Sequence, residues 1–448
     1  MERKKLSVDL NGKQFRHNLV LFSKNKSAFC LLDGKGFTSF NNPEFPGLNR
    51  DRIALAAMGM ISEVVSSETG SFLKLESFIK NKKDWLFGFL SYDLKNDLEK
   101  LSSENPDFLN FPDLHFFQPE LVFDISEKEV SVYYHGLNNS EKQISELLDE
   151  IQNFHAGRAV HSGVISENPI CCRFTRQEYL DAIEKLKKHI LLGDVYEINF
   201  CMEFFSENIF IQPEFIFNEL LGVVAMPFSC FYKYEDRFLM SASPERFLRK
   251  EGKNIFSQPM KGTMRRGAGE EEDNRLKIKL KNDKKERSEN VMIVDLVRND
   301  LSKIAKPSSV HVEELFGVYS FPNVHQMIST VSAEVKEGIN FTDVLRAAFP
   351  MGSMTGAPKV RAMELIEKVE RSKRGLFSGS VGYISPDGNF DFNVVIRSLL
   401  YNHVNQYLSY QAGSAITFHS VAEKEYEECM LKAKTFFTLM NFQESKSC

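Results

Sequence analysis

The order in which strands and helices follow one another is the strongest constraint that this chain places on its fold. Short apolar stretches predict strands at residues 86–93, 196–200, 238–243, 380–383, 393–401 and 406–417. These strands come in runs, whereas a parallel sheet needs a long crossover connection, usually a helix, between successive strands. The pattern therefore favours an α+β fold with largely antiparallel sheets over a doubly wound parallel sheet.

Three other segments carry the signals of helices. Thr175 followed by Glu178 is a capping-box pattern, and the apolar residues after it predict a helix that Gly193 can end. Apolar residues at helical spacing predict a second helix within 140–154. A last helix is predicted from about residue 422 to residue 440.

A polar segment at 155–168 divides the chain of 448 residues into two parts. We predict an N-terminal subdomain at 1–160 and a C-terminal part at 161–448 that carries most of the motifs, with both forming one compact unit. Because 42% of the residues are hydrophobic, the chain is able to bury a large core.

Charge and hydropathy exclude two classes of partner. The chain has 56 Lys and Arg residues against 61 Asp and Glu residues, and its basic run at 277–281 has acidic residues on both sides. A nucleic-acid-binding protein would concentrate basic charge on one surface. No apolar run is long enough to span a bilayer, and no signal-peptide core follows the charged N-terminus. We therefore expect no nucleic acid or membrane partner and a cytoplasmic location.

One lysine has an unusual setting. Lys261 lies between a proline turn and a glycine, and Arg265 and Arg266 follow shortly after it. A protonated lysine is a poor nucleophile, but burial and neighbouring cations lower the pKa of an ammonium group. Lys261 is therefore a candidate nucleophile. When this segment is taken alone, a lysine in a solvated surface turn remains the alternative.

Two predicted helix faces carry pairs of acidic residues. Glu286 and Glu289 are three residues apart, and Glu425, Glu428 and Lys432 are spaced by three and four. Residues at these spacings share one face of a helix. Two acidic faces brought together form an oxygen-rich site of the kind that binds Mg²⁺ and leaves positions for water or an anionic substrate. Ordinary solvated faces have the same spacing, so spacing alone leaves both interpretations open.

Eight short segments match, in order, the motifs of one enzyme family. They are GDVYEIN at 193–199, SASPERF at 241–247, PMKGT at 259–263, ENVMIVDLVRND at 289–300, VHQM at 324–327, GSMTGAPK at 352–359, IR at 396–397 and GSAI at 413–416. Together they resemble the chorismate-utilising enzymes, and most closely the branch that forms aminodeoxychorismate. The N-terminal part resembles the family only through GFLSYD at 88–93.

The resemblance implies a fold and a reaction. The fold is the α/β sandwich of the chorismate enzymes, two packed antiparallel sheets with helices outside, and its chorismate-binding catalytic part is 161–448. The reaction converts chorismate and ammonia to 4-amino-4-deoxychorismate in para-aminobenzoate and folate biosynthesis. A glutamine amidotransferase subunit on a separate chain supplies the ammonia. Anthranilate-forming relatives typically have alanine at the position of Lys261, whereas the aminodeoxychorismate branch commonly has lysine.

The same resemblance assigns two catalytic residues. Lys261 attacks C2 of chorismate as the C4 hydroxyl departs, and ammonia then adds at C4 while the lysine is expelled. Covalent catalysis of this kind divides one hard displacement into two easier ones. Glu245 matches the general acid and base, a role that requires a carboxyl pKa raised toward neutrality.

Metal and substrate contacts are also implied by the resemblance. Mg²⁺ would be held by Glu289 and Glu428, with Glu286 and Glu425 as further or water-mediated ligands. The guanidinium fork of Arg397 suits the enolpyruvyl carboxylate of the substrate. The residues matching substrate-binding positions are Arg397, Gly413, Lys432, His325, Ser353 and Thr263.

Two positions depart from the pattern of many relatives. Phe377 stands where many have tyrosine, and the missing hydroxyl removes one possible contact to a carboxylate. Glu197 stands where relatives that use ammonia often have glutamine and where relatives that use water have a lysine base. A glutamate at this position favours ammonia chemistry.

Three other functions fit the sequence less well. Anthranilate synthase component I would have to eliminate pyruvate, and Lys261 argues against it. An isochorismate or salicylate synthase would need a lysine at the position of Glu197. A catalytically silent, chorismate-binding regulatory subunit is disfavoured by the intact set of Lys261, Glu245, Glu289 and Glu428.

Overall fold

The structure is a computed structural model that describes residues 3–34, 52–154, 169–224 and 226–440, and the backbone of 164–165. The strands of the N-terminal part are β1 (Lys4–Asp9), β2 (Ala28–Asp33), β3 (Arg52–Met58), β4 (Ser62–Ser66), β5 (Leu86–Leu90), β6 (Leu114–Gln118), β7 (Leu121–Ser126) and β8 (Glu129–Tyr134). Those that follow are β9 (Val164–Ile165), β10 (Cys171–Cys172), β11 (Glu197–Ser206), β12 (Phe210–Ile211), β13 (Phe228–Tyr234), β14 (Arg237–Ser243), β15 (Arg246–Glu251), β16 (Asn254–Gln258), β17 (Met260–Arg265), β18 (His311–Ser320), β19 (Val324–Glu334), β20 (Gly356–Ala357), β21 (Ser380–Ile384), β22 (Phe390–Asn393), β23 (Ser398–Asn402) and β24 (Tyr407–Ile416).

The helices are numbered in the same way. They are α1 (Gly12–Phe22), α2 (Ser71–Lys82), α3 (Glu141–Gln152), α4 (Arg176–Leu191), α5 (Pro213–Val223), α6 (Glu270–Asn282), α7 (Lys284–Ser302), α8 (Phe341–Ala348), α9 (Lys359–Val369) and α10 (Ala422–Leu439). Short 3₁₀ turns lie at Ser23–Asn25, Tyr92–Asp97 and Gly352–Met354. None of the described helices combines the length and the apolar character that crossing a bilayer requires.

Two large sheets contain most of the strands. The larger has 12 strands in the order β1-β8-β7-β3-β2-β13-β14-β23-β24-β11-β10, with β20 paired to β11. The smaller has 10 strands in the order β17-β19-β16-β15-β22-β21-β5-β6-β4, with β18 paired to β19. Every described strand pair is antiparallel. The predicted α+β class with antiparallel sheets is confirmed.

The core has two layers because successive side chains of a strand point to opposite faces of its sheet. In β2, Phe29 and Leu31 join an apolar cluster that includes side chains of α1, α3, α4, α5 and α10. Ala28 and Cys30 of the same strand join a second cluster that contains side chains of both sheets. The sheets therefore pack face to face as a sandwich, and these helices cover the outer face of the larger sheet.

Both sheets contain strands from both parts of the chain. In the larger sheet β2 pairs with β13, and in the smaller sheet β5 pairs with β21. The predicted boundary at residue 160 is therefore not a break in either sheet. Most of the polar segment at 155–168 lies outside the described residues.

The predicted helix signals form the expected local structure. Thr175 accepts a hydrogen bond from the backbone of Glu178, whose side chain accepts from the backbone of Thr175, so the capping box that begins α4 is confirmed. Gly193 follows the helix with a φ of 80°, in the left-handed region that favours glycine. Helix α3 lies within the predicted 140–154, and α10 ends one residue before the predicted end.

Two strand predictions are wrong in extent. The stretch 393–401 was predicted as one strand, but β22 ends at its first residue and β23 begins only at Ser398. Arg397 has a φ of 54°, a left-handed conformation that an extended strand cannot contain. The strand predicted at 86–93 ends at Leu90, because the chain turns into a 3₁₀ segment.

Candidate active site

Lys261 lies at an interruption of the smaller sheet. The pairing of β17 with β19 changes register between Met260 and Thr263, so Lys261 and Gly262 form a β-bulge. Gly262 has a φ of 88°, and an added side chain there would press on Glu286. A bulge re-aims the side chains beside it, and this one directs Lys261 away from the regular ladder.

The bulge brings Lys261 against a carboxylate of the other sheet. Nζ of Lys261 is 2.9 Å from Oε1 of Glu197, the first residue of β11, and the two side chains are only 11% and 2% exposed. The second oxygen of Glu197 accepts no hydrogen bond from any described residue. A buried polar atom without a partner costs free energy, so this oxygen is available to a ligand or a proton.

The pKa of Lys261 is raised, contrary to the sequence-based expectation. Burial is the largest single influence and opposes the charge, but the carboxylates of Glu197, Glu289 and Glu245 together outweigh it. Lys261 is therefore an ammonium group in this structure, and an adjacent base has to remove its proton before it can act as a nucleophile.

The two arginines after Lys261 do not supply the expected cationic neighbourhood. Arg265 lies 2.6 Å from the carboxylate of Glu272, and Arg266 makes a two-point ion pair with Asp273. Both acidic residues belong to α6. The prediction that neighbouring cations lower the pKa of Lys261 is wrong, because these cations are neutralised by a helix that the local sequence did not place beside them.

Glu245 has the property that its predicted role requires. It is buried between β14 and β15, and its pKa is raised to about 7. Burial is the main cause, and it is partly offset by a hydrogen bond with Ser353 and by the charge of Lys261. A carboxyl group with a pKa near neutrality can both donate and accept a proton. The structure thus brings Glu245, Ser353 and Lys261 together.

The two predicted acidic helices meet beside this group. Nζ of Lys285 in α7 is 3.3 Å from Oε1 of Glu425 in α10 and 3.8 Å from Oε1 of Glu289 in α7. Burial raises the pKa of Glu289 to about 7, although Lys261 and Lys285 counteract the shift. Lys285 was not predicted as part of the site, although it lies four residues before Glu289.

The other two acidic residues lie farther toward the surface. Glu428 is 45% exposed and its carboxylate is 2.6 Å from Nζ of Lys432, which also donates to the carbonyl of Gly413. A Cβ at Gly413 would lie 2.1 Å from a backbone oxygen of β11, so close strand packing requires this glycine. Burial raises the pKa of Glu286.

The charges and orphaned atoms of this cluster suit a divalent cation. The described residues contain no group of three His, Cys, Asp or Glu side chains already arranged as metal ligands. Oε1 of Glu289 and Oε2 of Glu425 are nevertheless buried and accept no hydrogen bond within the described ranges. Carboxylate oxygens are the protein ligands that Mg²⁺ prefers. Carboxyl groups also outnumber ammonium groups in this cluster, with Glu197, Glu286, Glu289, Glu425 and Glu428 against Lys261, Lys285 and Lys432.

Arg397 presents an uncommitted guanidinium. In the part of the chain that the structure describes, its side chain makes no ion pair and donates no hydrogen bond. Its charge acts on Tyr410, whose pKa is raised by burial and partly lowered by this arginine. Tyr410 in turn donates to the backbone of Lys432. An arginine held close to the site without a protein partner is suited to bind an anion.

Two other predicted substrate contacts are engaged within the protein. Thr263 donates to the side chain of Gln326 at 2.8 Å. Both ring nitrogens of the buried His325 have partners, Ser320 at 2.9 Å and Asp273 at 3.0 Å. His325 therefore links β19 to α6, and a substrate contact by either residue stays a prediction.

Comparison with known proteins agrees with the geometry. The sequence matches the family of chorismate binding enzymes over residues 52–438. Anthranilate synthase component 1 of Aquifex aeolicus (strain VF5) is 33% identical over 374 residues, covering 80% of this chain and 74% of that protein. Aminodeoxychorismate synthase component 1 of Bacillus subtilis (strain 168) is 32% identical over 368 residues, covering 80% and 77%. The crystal structure of anthranilate synthase component I from Streptococcus pneumoniae TIGR4 superposes with a TM-score of 0.75 at 25% identity, covering 88% and 94% of the two chains. This chain therefore belongs to the chorismate binding enzyme family.

Proposed function

We propose that this protein is an aminodeoxychorismate synthase component 1, which converts chorismate and ammonia to 4-amino-4-deoxychorismate. Relatives of both the aminodeoxychorismate and the anthranilate type are similar to it, and their overall identities of 32% and 33% do not separate the two. The proposal therefore depends on one observation, the buried contact of Lys261 with Glu197. Anthranilate-forming members typically carry alanine in place of this lysine.

The first half of the reaction begins with a proton transfer between these two residues. Glu197 accepts a proton from the Lys261 ammonium group and leaves a neutral amine. The amine forms a bond to C2 of chorismate, the ring double bonds shift, and the bond between C4 and its oxygen breaks. Glu245 donates its proton to the departing oxygen, which leaves as water. The adduct carries the lysine nitrogen at C2.

The second half restores the enzyme. Ammonia forms a bond to C4, the double bonds shift back, and the bond between C2 and the lysine nitrogen breaks. Glu245 accepts one proton from the new C4 ammonium group, and Glu197 returns its proton to Lys261. The sum is chorismate and ammonia converted to aminodeoxychorismate and water, with every residue in its starting protonation state.

Binding of the doubly negative substrate needs positive charge that the cluster itself lacks. Arg397 is the residue that we assign to the enolpyruvyl carboxylate, because a guanidinium fork matches a carboxylate in two hydrogen bonds. Of the four expected ligands, we assign the direct contacts to Glu289 and Glu425 rather than to Glu289 and Glu428, because their unbonded oxygens are buried. Glu286 and Glu428 around them complete the set that would hold Mg²⁺. When bound, the ion would neutralise and orient the ring carboxylate of the substrate.

We further propose that a separate glutamine amidotransferase subunit supplies the ammonia in the cytoplasm, for para-aminobenzoate and folate biosynthesis. The sequence offers no cysteine in a Gly-x-Cys-x-Gly setting that would serve as a glutaminase nucleophile. Four of its cysteines, Cys30, Cys201, Cys230 and Cys429, are buried. Free ammonium at high concentration is expected to replace the partner.

An end-point assay tests the proposed function. Purified protein is incubated with chorismate, MgCl₂ and ammonium chloride, and products are resolved by mass spectrometry. We expect a product that keeps the enolpyruvyl group and has an amine in place of the hydroxyl. Lys261→Ala is expected to abolish it, whereas Lys279→Ala, which changes an exposed lysine of α6, is expected to leave it unchanged. Formation of anthranilate and pyruvate instead would assign the chain to the other branch.

A further inference from the structure

The lysine between the two buried acidic residues reaches them from the solvent. Lys285 is the second residue of α7, and its side chain is 43% exposed, against 8% for Glu289 and 2% for Glu425. Its backbone is fixed by the helix cap, because Asp283 accepts a hydrogen bond from its amide. The ammonium end is therefore held near the carboxylates by a flexible stem whose base does not depend on the ion pair.

The geometry of this contact is incomplete. Nζ of Lys285 is at hydrogen-bond distance only from Oε1 of Glu425, at 3.3 Å, and lies 3.8 Å from Oε1 of Glu289. Oε1 of Glu289 and Oε2 of Glu425 accept no hydrogen bond from a described residue. A point charge with three donors thus lies beside two carboxylates, each of which keeps one buried oxygen without a hydrogen bond.

We propose that Lys285 is a built-in counter-ion for Glu289 and Glu425, which competes with Mg²⁺ for these carboxylates and so weakens its binding. The inference rests on the proposed function, because it assumes that Mg²⁺ binds between α7 and α10. An ammonium group and a divalent cation repel each other at this distance, so the lysine has to withdraw when the ion binds. Its exposed position allows withdrawal into solvent without a change in the backbone.

This arrangement has a consequence for stability as well as for affinity. Two buried carboxylates on different helices repel each other unless a cation lies near them. The lysine reduces that repulsion, and Mg²⁺ would reduce it more strongly. Removing the lysine charge should therefore lower the stability of the packing between α7 and α10 when a chelator removes the ion. It should also increase the stabilisation that added Mg²⁺ gives to the protein.

Magnesium titration of the full chain tests the inference. Lys285→Met keeps the apolar stem and removes the charge, and Lys284→Met is the matched control, because Lys284 is the exposed neighbour and forms no ion pair with a described residue. By calorimetry with MgCl₂, we expect Lys285→Met to bind the ion roughly tenfold more tightly than the wild type. Lys284→Met should bind like the wild type. In thermal melts, Lys285→Met should melt below the wild type in EDTA and gain more from added MgCl₂.

The possible failures can be distinguished. If the wild type binds Mg²⁺ and Lys285→Met binds it equally or more weakly, the competition is refuted and the metal site stands. If both lysine variants gain affinity equally, the effect is one of general charge and the specific role of Lys285 is refuted. If none of the three proteins binds Mg²⁺, the proposed metal site fails and this inference fails with it.

Discussion

Strand β11 is attached to two buried ion pairs that differ in how fully their polar atoms are bonded. In the first, Arg374 donates two hydrogen bonds to Glu370, at 2.9 and 2.6 Å. The same guanidinium donates to the carbonyls of Met354 and Asn199, and Glu370 also accepts from the amide of Cys201. Both charges of this pair are therefore surrounded by partners.

The second pair joins Lys261 to Glu197, the first residue of the strand, and its hydrogen bonding is incomplete. Lys261 contacts one oxygen of Glu197, and the other oxygen accepts no hydrogen bond from the described residues. A satisfied buried pair holds structural elements in place, whereas a buried oxygen without a partner is retained where another function requires it. The comparison teaches that a buried oxygen without a hydrogen bond distinguishes the proposed reactive pair from the structural one.

The largest expected effect tests this difference directly, with one matched substitution in each pair. Glu370→Gln leaves the Arg374 charge buried without a counter-charge, and we expect a loss of about 3–5 kcal/mol in the free energy of unfolding. Glu197→Gln removes one negative charge from a cluster that has a surplus, so we expect a loss of less than about 1 kcal/mol. Urea unfolding of both variants and of the wild type measures the two losses in unfolding free energy. Equal losses would refute the distinction between the pairs.

The next effect concerns the acid beside the incomplete pair. Glu245→Gln is expected to lower kcat roughly 10²–10⁴-fold, the range for loss of a general acid. Because the pKa of Glu245 is about 7, its protonated fraction decreases above that pH, and the wild-type rate should fall as pH rises through about 7. This fall should be absent from the pH–rate profile of the variant. A fall that persists would belong to another group, such as Glu289.

A third prediction contrasts two arginines. Arg397 makes no ion pair within the described chain, so Arg397→Met should change the unfolding free energy by no more than about 0.5 kcal/mol. Loss of a charged hydrogen-bond donor should raise KM for chorismate by a factor that corresponds to about 2 kcal/mol. Steady-state kinetics and urea unfolding measure both quantities. A variant that unfolds easily and binds normally would give Arg397 the structural role that we assign to Arg374.

The smallest effect is a shift of the pH profile. The hydrogen bond from Ser353 lowers the pKa of Glu245, so Ser353→Ala should raise that pKa further. The acid then stays protonated to higher pH, and the falling limb of the rate should move upward by about one pH unit. The double variant with Glu245→Gln is the control, since it should show no limb to move. A downward shift would contradict the assigned contact.

Local features of the fold could be predicted from the sequence because their signals lie within a few residues. The capping box at Thr175 and the shared face of Glu286 and Glu289 depend only on helical spacing, and both are found. The break in the predicted strand at Arg397 could not be predicted, because no neighbouring residue type indicates a left-handed backbone conformation within this apolar run.

Lys261, Glu245 and the two acidic pairs of the candidate site could be named from the sequence, but Lys285 and the electrostatics of the cluster could not. Lys261 and Glu197 come from different sheets and are far apart in the sequence, so their contact has no local signal. Arg266 and Asp273 are only seven residues apart, but their ion pair depends on how α6 packs beside β17, which the sequence pattern did not indicate. Lys261 could be named as a candidate nucleophile from the resemblance, whereas its raised pKa could be recognised only from the folded arrangement of carboxylates around it.

The central claim is that Lys261 forms a covalent bond to the substrate, and intact-protein mass spectrometry tests it most directly. The protein is incubated with chorismate and MgCl₂ without ammonia, quenched, and weighed against Lys261→Ala. We predict a wild-type species heavier by one chorismate less one water, mapped by peptide analysis to Lys261 and removed by added ammonium chloride. Turnover to aminodeoxychorismate with no adduct on Lys261 in samples quenched at any stage would contradict the account.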